Sequence, residues 1–287
     1  MTVIELIDAS AKALDTAGVA YGHGTANAFD EAAWLVLWKL QLPLDTLDAV
    51  EDQRVNGDDA RKVESLIAER IATRIPAAYL TQEAWLQGIP FYVDERVIVP
   101  RSFIAEILAD GTVDYWLGEH TQKVLDLCTG NGSLAVLAAV TYPDVQVDAA
   151  DLSADALAVA KINVDKHGLR DRIQLIKSDC LADTPGPYDL ILCNPPYVNS
   201  ASMDALPPEY QAEPAMALAG GADGMDFIRQ LLATAPERMN PKAVLVLEIG
   251  NEREHFEAAF PSLEAVWLET SAGEDQVLLL TREALVQ

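Results

Sequence analysis

From residue 121 onward, short apolar runs alternate with amphipathic runs, and this alternation constrains the fold more than any other feature. The apolar runs are rich in Val, Ile and Leu, as in parallel strands that are buried on both faces. The alternation predicts an α/β fold with a doubly wound sheet of seven mostly parallel strands. The predicted strands span residues 123–128, 145–150, 173–177, 188–193, 243–249, 265–269 and 276–280. The predicted helices between them span residues 133–141, 154–166, 225–238 and 252–259.

The chain before this sheet has a different pattern. Residues 1–84 carry apolar side chains at helical spacing, and Pro43 and Pro76 end two of the runs, so a small helical domain for substrate recognition is predicted. Asp30 is the predicted N-cap of its second helix. Residues 85–100 read as a β-hairpin linker with its turn at Asp94-Glu95, followed by the sheet domain at 101–287.

Composition limits the classes of partner. The formal net charge is −25, from 45 acidic and 20 basic residues, so direct nucleic-acid binding is not expected. A basic protein partner and a saline environment both account for this acidity. No apolar run reaches the length of a membrane span, and the N-terminus does not resemble a secretion signal. The three cysteines lack metal-site spacing, which predicts free thiols in a reducing cytoplasm and no metal site. The oligomeric state is unknown.

The loops after the first three predicted strands carry residues suited to a nucleoside. Ligands of such sheets bind at the carboxyl ends of the strands. The first strand ends in a glycine-rich turn into a helix, where the backbone approaches a ligand closely. Asp151 follows the second strand about twenty residues later and is placed to accept both hydroxyls of a ribose. Asp179, with Cys180, follows the third and is placed to accept from an adenine amine. The glycine turn comprises Cys128, Thr129, Gly130, Asn131 and Gly132. Because no Gly-Lys-Ser/Thr element follows it, an NTPase that binds phosphate through a P-loop is disfavoured.

The fourth strand ends in Asn194-Pro195-Pro196-Tyr197, the predicted catalytic segment. Two prolines cannot continue a helix or a strand ladder, and each holds the preceding residue extended. The Asn194 side chain and the Pro195 carbonyl then project as rigid acceptors beside an aromatic ring. Such an array suits a planar amide or amine that offers two N–H groups, although on its own the tetrapeptide is also typical of a turn that closes a strand.

Taken together, these segments resemble the class I S-adenosylmethionine-dependent methyltransferases that modify protein glutamines. The resemblance covers nearly the whole chain, at residues 126–132, 151–153, 194–198, 209–214, 217–224 and 248–250. It implies a Rossmann-like methyltransferase sheet, S-adenosyl-L-methionine as cofactor, and transfer to a glutamine side chain. The glycine turn would hold the methionine end, Asp151 the ribose, and Asp179 with Cys180 the adenine edge.

Two branches of this family differ at the start of the catalytic domain. The branch that acts on release factors usually has Pro-Arg-Pro-x-Thr-Glu, whereas residues 100–106 read Pro-Arg-Ser-Phe-Ile-Ala-Glu. That segment, with Tyr-Gly-His-Gly-Thr at 21–25, resembles the PrmB-type branch, which methylates the third protein of the large ribosomal subunit. A basic ribosomal protein is then the expected substrate, with Arg101 and Phe103 in its channel. Phe103 departs from the proline that is common there, and a surface ion pair accounts equally well for Arg101.

Three alternatives remain open from the sequence. A release-factor glutamine methyltransferase shares the same motifs. An adenine-specific DNA methyltransferase uses the same Asn-Pro-Pro-Tyr segment to bind an exocyclic amine. Such an enzyme also needs a basic region to bind DNA, and the net charge of −25 argues against one. A non-catalytic scaffold of the same fold is disfavoured. Such a protein is expected to lose the cofactor and acceptor residues of these loops, and this chain has them.

Overall fold

The computed structural model describes residues 1–286 and divides into two units. The helical unit combines Met1–Ala84 with a later segment, Leu206–Glu213. The sheet unit comprises Trp85–Ala205 and the chain from Pro214 onward. The chain therefore leaves the sheet unit once, shortly after Asn194-Pro195-Pro196-Tyr197, and returns eight residues later.

The helical unit is built around three longer helices whose apolar stripes meet in one core. That core includes Leu6, Leu14, Leu35, Val63 and Ile67, all buried. The helices of this unit are α1 (Val3–Thr16), α2 (Ala28–Lys39), α3 (Leu47–Val50), α4 (Gly57–Thr73), α5 (Ala77–Thr81) and, from the later segment, α10 (Pro208–Gln211).

The start of α2 differs from the prediction. The N-cap is Asn27, whose Oδ1 accepts from the Asp30 N–H at 3.0 Å. Asp30 instead lies in the first turn, where its carboxylate accepts from Asn27 Nδ2 at 2.7 Å. Asparagine and aspartate are both good caps, so the sequence alone favoured the one nearer the apolar run.

A buried ionic network fixes the later segment within the helical unit. Arg70 is fully buried and donates to Glu31 at 2.9 Å and to Glu209 at 3.4 Å. His23, also buried, lies 3.6 Å from Glu213 and packs on the Tyr210 ring. Residues 209–213, which are distant in sequence from the helices, are thus held there by the Arg70–Glu209 ion pair and by contacts with His23.

Within residues 1–286 the chain forms nine strands, and the first two make a short hairpin that begins at the end of the helical unit. The strands are β1 (Glu83–Leu86), β2 (Ile89–Tyr92), β3 (Lys123–Leu127), β4 (Gln146–Asp151), β5 (Ile173–Lys177), β6 (Tyr188–Cys193), β7 (Met239–Glu248), β8 (Val266–Thr270) and β9 (Gly273–Thr281). The helices of the sheet unit are α6 (Ile104–Asp110), α7 (Ser133–Thr141), α8 (Ala154–Lys166), α9 (Ser200–Asp204), α11 (Asp226–Thr234), α12 (Arg253–Ala259) and α13 (Arg282–Leu285).

The main sheet has seven strands in the order β5-β4-β3-β6-β7-β9-β8, which confirms the predicted fold class. The five strands from β5 to β7 are parallel, and β9 is antiparallel to both β7 and β8. Successive residues of the central strands point into cores on opposite faces, as Val124 and Leu125 do in β3. Because both faces are covered, the strands read as continuous apolar runs. The chain order reverses between β3 and β6, which makes this the topological switch point.

The hairpin forms at a different position from the one predicted. Its strands are β1 and β2, and its two-residue turn is Gln87-Gly88, both with positive φ of 49° and 72°. Asp94 and Glu95 do not form a hairpin turn; Asp94 instead accepts from the Arg96 guanidinium and backbone N–H. The stretch from Val93 to Ser102 has no strand. The prediction was wrong because the apolar run through Pro90 masked the turn residues before it.

Across residues 1–286, no helix combines the length and the apolar character that a membrane crossing requires.

Candidate active site

The register of the central strands brings four residues at the carboxyl ends of these strands level with one another. Leu127 of β3 pairs with Ala150 of β4 and with Cys193 of β6. Cys193 pairs in turn with Leu247 of β7. The residues that follow these four therefore share the carboxyl edge of the sheet: Cys128, Asp151, Asn194 and Glu248.

A cleft with a cavity volume of about 130 Å³ opens at this edge, at the switch point between β3 and β6. It brings together many of the predicted residues, namely Cys128, Gly130, Asp151, Asp179, Cys180, Asn194 and Pro196. Residues predicted to bind the ribose, the adenine and the acceptor nitrogen thus line one cavity.

The other members of the glycine turn lie outside the lining of this cleft. The Thr129 hydroxyl donates to the buried Asp126 carboxylate, and Asn131 Oδ1 accepts from the Ser133 N–H at 3.2 Å. A Cβ on Gly132 would lie 3.2 Å from the Ala160 side chain, so this glycine allows α7 and α8 to pack closely. Burial raises the pKa of Asp126 to about 7. These residues shape the turn, while Cys128 and Gly130 line the cleft.

Asp151 is held in place by two backbone donors. Its Oδ2 accepts from the Gly130 N–H and its Oδ1 from the Ser153 N–H, both at 2.9 Å. Burial raises the pKa of its carboxyl above the ordinary value. Each carboxylate oxygen has more than one acceptor site, so both remain able to accept from a hydroxyl. This geometry suits a ligand with two neighbouring hydroxyl groups.

Asp179 and Cys180 also line the cleft. Asp179 is exposed and accepts weakly from Gln230 Nε2 at 3.5 Å. Cys180 is buried, and burial raises the pKa of its thiol to about 11. Burial likewise raises the pKa of the Cys193 thiol. Cys128, Cys180 and Cys193 are all free, and the two buried thiols are neutral groups suited to packing rather than nucleophilic attack.

Asn194 directly follows β6, and its side chain is available to a ligand. It is half-buried and lines the cleft, and within residues 1–286 its carboxamide has no hydrogen-bond partner. The Pro195 carbonyl accepts no backbone N–H in that same range. Two acceptors on a rigid Pro-Pro backbone are thus available to an incoming group.

The segment after Asn194 is tightly fixed. The Val198 N–H donates to the Leu218 carbonyl at 2.8 Å, and the Gly220 N–H donates to the Val198 carbonyl at 2.9 Å. The Tyr197 hydroxyl lies 3.4 Å from a carboxylate oxygen of Glu248. The tyrosine is therefore held by the backbone hydrogen bonds of the adjacent Val198 and by the contact of its own hydroxyl.

Arg101 and Phe103 lie outside the lining of the cleft, as far as the described residues extend. Arg101 Nη1 donates to the Val99 carbonyl at 3.1 Å. The Phe103 N–H donates to Glu248 at 2.9 Å. Both residues therefore sit on the segment that approaches the end of β7.

Sequence reasoning assigned no role to several residues of this site. Glu248 lies in Glu248-Ile249-Gly250, one of the segments that carry the family resemblance, but no role was predicted for this glutamate. Further lining comes from two segments that lack a strand, before α6 and after α10: Arg96, Val97, Ile98, Pro214, Met216 and Ala217. Periodicity carries no signal for segments without a strand or an α-helix, and Pro214 and Ala217, both within family-like segments, were the pointers to them.

Comparisons with known proteins identify the family of the chain. Residues 109–207 match the family described as the methyltransferase small domain. The ribosomal protein uL3 glutamine methyltransferase of Bordetella pertussis is 55% identical, over 99% of this chain and 96% of its own. The corresponding protein of Burkholderia pseudomallei is 53% identical, over 97% and 94%. Among solved structures, the hMettl16 catalytic domain in complex with the MAT2A 3′UTR hairpin 6 has a TM-score of 0.53 at 14% identity, covering 79% of this chain and 81% of that one, which shows a shared fold alone. The chain belongs to the family of ribosomal protein uL3 glutamine methyltransferases.

Proposed function

We propose that this protein transfers a methyl group from S-adenosyl-L-methionine to the side-chain amide nitrogen of a glutamine in ribosomal protein uL3. The observation that carries this proposal is the pair of free acceptors, Asn194 Oδ1 and the Pro195 carbonyl, beside a cleft at the switch point of the sheet. A primary amide offers two N–H groups that match two acceptors. The family to which the chain belongs supplies the ribosomal acceptor.

The residues of the cleft fit the proposed cofactor. Asp151, fixed by two backbone N–H groups, accepts the ribose hydroxyls. The Cys128–Gly132 turn receives the methionine end, since a Cβ on Gly130 would meet nothing within 4 Å. Asp179 and Cys180 border the adenine. When bound, S-adenosylmethionine supplies an electrophilic methyl group on sulfur.

The chain's own groups then act on the acceptor nitrogen. A glutamine nitrogen is a poor nucleophile because its lone pair is delocalised into the carbonyl. By accepting both N–H bonds, Asn194 and Pro195 would orient the nitrogen and stabilise the positive charge that develops on it as the N–C bond forms and the S–CH3 bond breaks, leaving a neutral thioether. Preorganised polar groups of this kind lower a barrier by about 3–4 kcal/mol each. The methylated nitrogen loses its proton readily, so no strongly tuned base is required before attack.

We assign the remaining parts of the chain as follows. Residues 1–84 recognise the substrate, 85–100 link the two parts, and 101–287 bind the cofactor and carry out transfer. Arg101 and Phe103 border the path of the glutamine, and Tyr197 packs against the amide plane. The acidic chain, at a net charge of −25, is suited to a basic ribosomal protein that is free of RNA.

The test is a parallel transfer assay with labelled cofactor. Undermethylated uL3, undermethylated release factor and adenine-containing DNA are offered at equal concentrations. The proposal predicts label in uL3 and much less in the other two. Label only in release factor would assign the chain to the other glutamine-modifying activity, and label only in DNA would refute the proposal.

A further inference from the structure

We propose that Glu248 is a positioning residue that ties Tyr197 to the Ser102–Phe103 segment, two parts of the chain that the proposed function places beside the glutamine and its path. The inference rests on the proposed function, because Tyr197 is the residue that packs against the glutamine amide. Glu248 lies at the end of β7, and its side chain is almost fully buried.

The two oxygens of the Glu248 carboxylate contact different parts of the chain. Oε1 faces the Tyr197 hydroxyl at 3.4 Å. Oε2 accepts from the Ser102 hydroxyl at 2.6 Å and from the Phe103 N–H at 2.9 Å. A buried carboxylate is retained only where donors compensate for its lost hydration, and here three donors come from two separate loops. The carboxylate therefore couples the position of one loop to that of the other.

The backbone around Glu248 is shaped to receive the tyrosine ring. Gly250, two residues later, has φ of 53°, and a Cβ there would lie 2.5 Å from Tyr197 Cε2. A Cβ on Gly224 would lie 2.2 Å from the Tyr197 carbonyl oxygen. Both contacts are closer than real Cβ atoms approach, so glycine is required at each position. The ring is thus confined by close packing on one side and by the Glu248 carboxylate at its hydroxyl.

Asn199 shows a second anchor of the same kind from the same loop. Its Nδ2 donates to Glu252 at 2.6 Å. The turn after β7 therefore contacts the segment after β6 at two points, Tyr197 and Asn199. Of the two, the Tyr197 contact lies nearer to Asn194 in sequence and borders the proposed acceptor site.

The experiment compares Glu248→Gln, Tyr197→Phe and the double variant. With saturating cofactor and uL3, kcat is expected to fall roughly tenfold in each single variant, because a loosely held ring samples unproductive orientations. Since both changes remove one contact, the double variant is expected to fall by clearly less than the product of the single effects. Cofactor Kd is expected to stay within about twofold of the wild type. Glu269→Gln, the same change at an exposed site on β8, is the matched control.

The pH profile supplies a readout that a general loss of stability does not change. Burial raises the pKa of Glu248 to about 6, and the donors that face its carboxyl are the Ser102 and Tyr197 hydroxyls and the N–H groups of Phe103 and Ile104. The carboxylate form therefore prevails above pH 6, and protonation below it weakens its acceptance of these donors. The wild type is expected to lose kcat as pH falls through about 6, and Glu248→Gln is expected to lack that limb.

Three results would overturn the inference: full kcat in Glu248→Gln, fully multiplicative effects in the double variant, or a cofactor Kd that rises in step with the loss of kcat. Absence of transfer to uL3 by the wild type would instead refute the proposed function, and the same ratios are then measured on whichever acceptor is labelled. If Glu248→Gln fails to fold, Tyr197→Phe tests the contact from its other side. Crystal structures of the wild type and Glu248→Gln decide the matter without any acceptor: an unmoved, equally ordered Tyr197 ring contradicts the proposal.

Discussion

Asn194 combines two properties that rarely occur together at a strand end: its side chain borders a cleft, and its carboxamide has no partner among the described residues. A polar group left free in this way is available to a ligand. Replacement of Asn194 by alanine removes one of two acceptors for the glutamine amide. We expect kcat to fall by roughly 100-fold or more, as for the loss of one oxyanion-hole donor, while cofactor Kd changes little. Single-turnover transfer and calorimetric titration of the cofactor measure the two quantities separately.

Asn199→Ala is the matched control for this change. Asn199 lies in the same segment but is committed to Glu252 rather than to the cleft. It should reduce kcat far less than Asn194→Ala does. Undiminished turnover in Asn194→Ala would remove Asn194 from the chemistry.

Asp151 acts on the cofactor rather than on the acceptor. Asp151→Ala removes the proposed acceptor of the ribose hydroxyls and leaves the Gly130 and Ser153 N–H groups without their carboxylate. Hydrogen bonds to a charged group contribute about 1.5–3 kcal/mol, so cofactor Kd should rise by roughly 10- to 100-fold. Asp155→Ala, at an exposed site four residues later, should leave Kd unchanged. Equal affinities of the two variants, measured by calorimetry, would show that Asp151 does not hold the ribose.

At the residue scale, the sequence identified the cleft residues that directly follow apolar strands, but it did not identify those on segments without a strand or an α-helix. Asp151, Asp179 and Asn194 come directly after apolar runs, so the rule that ligands bind at strand ends pointed to them. Arg96 and Met216 line the same cleft but lie where no periodicity exists. Their placement depends on tertiary packing.

Among the elements, the central strands were the most predictable, because burial on both faces leaves an unbroken apolar signal. The hairpin was misplaced for the converse reason. Its turn depends on positive φ at Gln87 and Gly88, and one glycine beside a glutamine gives little signal within an apolar run. Inclusion of Leu206–Glu213 in the helical unit could not be predicted either, since it results from ion pairs between residues more than a hundred positions apart.

Arg70 of α4 forms ion pairs with both Glu31 and Glu209. Arg70→Met leaves the Glu31 and Glu209 carboxylates buried without their cation. Breaking a buried pair in this way costs about 3–5 kcal/mol of the free energy of unfolding. Urea denaturation followed by the fluorescence of Trp34 and Trp38, both in the helical unit, is expected to show this loss.

Two further variants test the cause. Arg61→Met on the same helix removes an exposed pair with Asp58 and should cost less than about 1 kcal/mol. Adding Glu31→Gln and Glu209→Gln to Arg70→Met should restore part of the lost stability, because no buried charge then remains unpaired. If Arg70→Met is as stable as Arg61→Met, the network does not stabilise the helical unit.

For the whole molecule, charge is the property that bears most directly on the substrate. The chain carries 45 acidic and 20 basic residues, and attraction between opposite charges speeds the encounter with a basic protein. Salt screens this attraction over a Debye length of about 10 Å at 0.1 M and about 3 Å at 1 M. We expect kcat/KM for uL3 to fall several-fold as salt rises, while cofactor KM changes much less. Initial rates across a salt series measure both.

A glutamine peptide from the modified region, with its basic residues replaced, is the matched control for the salt series. Its kcat/KM should depend on salt only weakly. A salt dependence equal to that of intact uL3 would mean that the acidity of this chain reflects solubility in its surroundings rather than its partner.

The central claim is that the methyl group is placed on the side-chain nitrogen of a glutamine in uL3. The most direct measurement is fragmentation mass spectrometry of undermethylated uL3 after incubation with S-adenosylmethionine and either the wild type or Asn194→Ala. The account predicts one glutamine of uL3 that gains the mass of a single methyl group on its side-chain amide with the wild type, and almost no such gain with the variant. An unmodified uL3, or a methyl group on a backbone amide or on any residue other than glutamine, would contradict the account.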